Sequence, residues 1–113
     1  MLTLKTLEEY GADVADGMNR CLNNEAFYLK LVQNAAETTD LASLKDALDQ
    51  KDLAKAFELS HAMKGVFRNL SLTPLAEPVS EMNEMLRGRE ERDYSELFSV
   101  IDERMQKLRE LCA

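Results

Sequence analysis

The sequence predicts an all-α fold, an antiparallel up-down four-helix bundle with a short extra N-terminal helix. Three observations carry that expectation. Apolar residues recur at three- and four-residue steps almost throughout, while the alternation typical of strands is nearly absent. Gly (4) and Pro (2) are too scarce for a fold assembled from many tight turns. Apolar residues make up 45% of the chain, enough to bury a core and to argue against disorder. The 113 residues leave room for one domain, spanning 1–113.

Leu4, Leu7 and Tyr10 mark a short first helix, weakened by Gly11 and Gly17. A second, longer helix opens at Asn23-Asn24-Glu25, where either Asn can accept from the free N–H groups of the first turn. Its stripe runs Phe27, Leu31, Ala35, Leu41, Leu44 and Leu48, and it reads as one element across Thr38-Thr39-Asp40. Asp52 caps a third helix with the stripe Leu53, Ala56, Met63, Phe67 and Leu70. Ser71-Leu72-Thr73-Pro74 reverses the chain, with Thr73 as N-cap and Pro74 at the first helical position, where its missing N–H costs nothing. The fourth helix buries Leu75, Val79, Met82 and Leu86 and stops around Gly88. After a charged connector, Asp93-Tyr94-Ser95-Glu96 resembles a capping box for the last helix, which carries Leu97, Ile101, Met105, Leu108 and Leu111. Short connections between amphipathic helices favour up-down packing.

Fourteen Lys and Arg stand against 21 Asp and Glu, a formal charge of −7. Such an acidic chain is a poor match for nucleic acid or an anionic membrane as its main partner. Met1–Glu9 turns acidic before a long apolar stretch forms, and no run of about 18 apolar residues occurs. Neither a secretory signal nor a membrane span is therefore expected. Cys21 and Cys112 lie far apart, without C-x-x-C spacing or a nearby His, which suits two incidental thiols in a reducing cytoplasm. A cytoplasmic monomer is the expectation.

The single His, His61, is the one candidate for chemistry. At ~100° per residue it falls roughly 150° from the middle of its helix's apolar stripe, so it should face solvent. Its neighbours on that outer face are Phe57, Lys64, Gly65 and Arg68. A mid-helix Gly costs about 1 kcal/mol relative to Ala, so Gly65 asks for a reason. Each neighbour has one if His61 exchanges a phosphoryl group. A neutral imidazole keeps a nitrogen lone pair free to attack phosphorus. Lys64 can neutralise phosphoryl charge. Gly65 leaves space for another protein's active site, and Phe57 offers that protein an apolar contact. The stretch 51–71 is locally basic, with Lys51, Lys55, Lys64 and Arg68 against Asp52 and Glu58. Reflection through the turn centred on Leu72 places Asn83 opposite His61 and Arg87 opposite Phe57. Asn83 is then expected to hydrogen-bond the second ring nitrogen, and Arg87 to set a further cation at the edge of the site.

At Ser60-His61-Ala62-Met63-Lys64-Gly65-Val66-Phe67-Arg68-Asn69-Leu70 the chain resembles histidine-containing phosphotransfer (HPt) domains, whose core pattern is His-x-x-Lys-Gly. Ala47–Asp52 is similar to the family's short loop into the histidine helix, and the later helix lengths also match. The resemblance implies that His61 is phosphorylated, that Lys64 stabilises the phosphoryl group and that Gly65 is the small residue beside it. Asn83 stands where family members often carry Gln or a similar polar side chain. Val66-Phe67 departs from the small or polar residues common there, and Ser71 stands where a Gly often closes the helix.

Two readings follow. In the first, the protein is a phosphocarrier of a two-component phosphorelay: His61 accepts a phosphoryl group from the aspartate of one receiver domain and passes it to another, in a chain headed by a sensor or hybrid histidine kinase. The sequence carries no Gly-rich phosphate loop and no recognisable Mg²⁺-binding carboxylate motif, so the carrier needs no cofactor of its own, the Mg²⁺ belongs to the receiver, and the protein is not a free-standing enzyme. In the second reading the bundle is an adaptor that binds partners without phosphorylation, and His61 is dispensable. An enzyme acting on its own small substrate has little to build from, with one His and no catalytic carboxylate motif.

Overall fold

In the computed structural model, which describes all 113 residues, the first five helices start at short polar side chains that satisfy a free N–H group of the first turn. Seven helices result: α1 (Leu4–Tyr10), α2 (Val14–Arg20), α3 (Glu25–Thr38), α4 (Leu41–Asp49), α5 (Leu53–Asn69), α6 (Thr73–Arg87) and α7 (Ser95–Cys112). Thr3, Asp13, Asn24, Asp40 and Asp52 cap the first five, each accepting from the third residue onward. The all-helical expectation holds; the count of helices does not.

One expected helix is divided and one helix is added. The short first helix marked by Leu4, Leu7 and Tyr10 is α1, which Gly11 closes in the left-handed region at φ 113°, and Asp13 then caps an additional helix, α2. The long second one becomes α3 and α4 because Thr39 is extended and Asp40 accepts from both the N–H and the hydroxyl of Ser43. Carbonyls left over by that break are taken up: Thr38 and Thr39 hydroxyls donate to Asn34 and Ala35, and Arg109 of α7 donates to Ala36 and Thr39, both at 3.0 Å.

Other boundaries shift by a residue. Leu72, fully buried, is the N-cap of α6, so Thr73 is the first helical residue and Pro74 the second, without a side-chain cap. Asp93 accepts from the N–H and hydroxyl of Ser95, making a local turn instead of the expected capping box. In α3 the inward residues are Tyr28, Val32, Ala35 and Ala36, while Phe27 is 49% exposed. Tyr28 goes inward because its ring lies against Gly17 and its hydroxyl donates to Leu70 O at 2.8 Å. Burial pushes that phenol up to about 12, so it remains a donor across the neutral range.

The core is mainly aliphatic and continuous, with Tyr28 and Phe67 as its largest fully buried side chains. Packed pairs include α4 with α5, α5 with α6, α6 with α7 and α7 with α3, so α3 and α4 have different principal neighbours. Pro78 cannot donate to Pro74 O, and Arg104 of α7 donates to that carbonyl instead, at 2.8 Å. The α5–α6 hairpin has the most extensive packing. Its turn is held from outside by α2 and α3: Asp13 N–H donates to Ser71 O, the Ser71 hydroxyl to Asp16, and Tyr28 to Leu70. The result is an α5 braced at its C-terminal end.

Candidate functional site

On α5 the residues Ala56, Ser60, Met63 and Phe67 are buried, at spacings of four, three and four. That face sets the direction of every other side chain on the helix. His61 is exposed, as the wheel predicts, with Ala62, Gly65 and Arg68 also exposed and Lys64 half-buried. Val66 adds an apolar element, 42% exposed. A Cβ built on Gly65 would meet nothing within 4 Å, so no packing contact requires glycine there. Neither Lys64 nor Arg68 forms an ion pair with a carboxylate, which leaves both cations free to meet an incoming anion.

Phe57, one turn before His61, is half-buried and stacks on the imidazole, with ring centroids 5.9 Å apart and planes 23° from parallel. Arg87, on α6, lies over the same Phe57 ring at 5.5 Å, where the reflection through the hairpin places it. It is also 3.4 Å from Glu84 on the exposed rim. Arg89, just beyond α6, lies over Phe57 at 5.0 Å. In the sequence Arg89 opens the charged connector Arg89-Glu90-Glu91-Arg92 between the last two helices. Its placement depends on the left-handed φ of 53° that it adopts, and the preceding Gly88 is the residue that would be expected to take such a conformation.

Asn83 does not serve as the expected partner of the imidazole. It is fully buried, and its amide nitrogen donates to Phe57 O at 3.2 Å and Ser60 Oγ at 2.9 Å. The reflection finds the right turn of α5, but Asn83 follows Val79 by four residues and precedes Leu86 by three, which puts it on the inward face of α6. Its Oδ1 is buried without a partner. Asn83 thus secures the backbone of α5 just before His61, from inside. Ser60, its partner, is the site-supporting residue missed in the sequence, although its helical spacing from Ala56 and Met63 already places it inward.

His61 does not line the cleft whose walls include Leu48, Lys51, Leu53, Tyr94 and Phe98. The imidazole is a displayed surface group. No helix is long and apolar enough to cross a membrane. The family model described as the Hpt domain matches residues 30–111, from early in α3 almost to the end of α7, and takes in His61, Lys64 and Gly65. No curated protein and no solved structure matches the chain.

Proposed function

We propose, on the ground that the chain belongs to the Hpt domain family and that this family serves histidine phosphotransfer in phosphorelays, that His61 is its phosphoacceptor. The observation that carries this reading is the exposed imidazole beside Gly65, whose missing side chain faces open space. An unprotonated ring nitrogen attacks the phosphorus of a receiver's aspartyl phosphate. The N–P bond forms as the acyl-phosphate P–O bond breaks, and that electron pair leaves on the receiver's carboxylate. Delivery to a second receiver reverses these bond changes. Lys64, with Arg68 farther along the helix, offsets the phosphoryl charge and favours an acidic receiver site. Phe57, Val66 and Arg87 supply contact at the rim. The Mg²⁺ belongs to the receiver, and this chain contributes a positioned nucleophile.

The test is incubation with phosphorylated receiver domains. A label that is acid-labile and alkali-stable, and lost in His61→Gln with helicity unchanged, is the expected result. Label persisting in His61→Gln, or none from any of several receivers, returns the protein to the adaptor reading.

A further inference from the structure

Phe57, His61 and Arg89 come from two parts of the chain yet form one stack. Arg89 follows α6 in the left-handed region at φ 53°, its N–H and that of Glu90 closing the helix on Leu86 O and Met85 O. In that conformation its side chain folds back, Nη1 donating to Leu86 O at 2.7 Å while the guanidinium lies over Phe57. One end of the guanidinium is thereby fixed to the end of α6, and the other covers the aromatic ring. Phe57 in turn stacks on the imidazole. An exposed imidazole without such support samples several side-chain rotamers, and only some direct a ring nitrogen at an incoming phosphorus.

We infer that Arg89 is a positioning residue: acting through Phe57, it holds the His61 imidazole in one orientation, with one face covered and the ring edge presented to the partner. The kinetic consequence rests on the phosphoacceptor reading, whereas the ordering of the ring does not. Arg87 reaches the same aromatic ring but is shared with Glu84, so Arg89 is the more firmly tied of the two.

Arg89→Gly separates this role from a structural one, because glycine adopts the left-handed conformation more easily than arginine and the fold should be as stable or more so. Two readouts are needed: the NMR signals of the His61 ring protons, which feel the Phe57 ring current, and transfer kinetics from a phosphorylated receiver. In Arg89→Gly the ring-proton signals should move toward those of a free histidine side chain. The transfer rate at saturating receiver should fall about 2–5-fold, with the half-saturating receiver concentration little changed. Phe57→Leu should displace the ring-proton signals further and lower the rate more, and Phe57→Tyr should restore both signals and rate. Unmoved His61 signals in both Arg89→Gly and Phe57→Leu would overturn the inference. So would a loss confined to the half-saturating concentration, which would make Arg89 a docking residue. If the unsubstituted protein accepts no phosphoryl group, the phosphoacceptor reading fails, and the ring-proton signals still decide whether the stack orders His61.

Discussion

Gly17 in α2 and Gly65 in α5 are both helical glycines, and their surroundings are opposite. A Cβ on Gly17 would lie 2.5 Å from the Tyr28 ring, whereas one on Gly65 would touch nothing within 4 Å. The first glycine lets a buried aromatic reach across to Leu70 and brace the α5–α6 turn. The second weakens its helix and gains no internal contact in return. A glycine that packing explains belongs to the fold; one that packing leaves unexplained, beside an outward His, is what the docking proposed above accounts for. The N-terminal region and the His61 face divide along that line.

The contrast is sharpest in stability. Gly17→Ala should lower unfolding free energy by about 1–3 kcal/mol through overpacking, because Tyr28 is fully enclosed and cannot yield cheaply. Urea denaturation measures it, and the folded fraction should still accept a phosphoryl group. Gly65→Ala should act in the opposite sense, stabilising by about 0.5–1 kcal/mol in the same assay while slowing transfer from a receiver. A destabilised Gly65→Ala protein would mean that the open space is needed by the fold after all.

A smaller effect concerns pH and the N-terminal region alone. The Ser71 hydroxyl, followed by Arg20, holds the Asp16 carboxyl below its ordinary value of 3.8. A depressed folded-state value means that the linkage stabilises above 3.8 and is lost as pH falls through the lowered value. The gap in melting temperature between the natural protein and Asp16→Ala should therefore be open at neutral pH and close in acid. A gap of constant size at every pH would remove Asp16 from the brace.

Much of this was legible in the sequence, for reasons that local geometry explains. The outward direction of His61 and the pairing of Arg87 with Phe57 follow from helical periodicity and a short hairpin, both of which carry little accumulated error. The four predicted α6 core residues, Leu75, Val79, Met82 and Leu86, are all buried for the same reason. The failures occurred where tertiary partners decide. Arg109, 70 residues from Thr39, satisfies the carbonyl that makes the α3–α4 break tolerable. Tyr28 displaced Phe27 from the core because Gly17 leaves room for it. Asn83 bonds Phe57 O and Ser60 Oγ instead of the imidazole because reflection through the hairpin locates the opposing turn but not the direction of a side chain around its own helix. Arg89 was invisible because a helix stop at Gly88 does not reveal that the next residue bends back.

Gly65→Gln, with two phosphoryl donors, tests whether the space beside His61 exists to admit a macromolecule. A small phosphoramidate should label His61 equally in the natural protein and the variant, while a phosphorylated receiver should label only the natural protein. Equal labelling of both proteins by the receiver would contradict it.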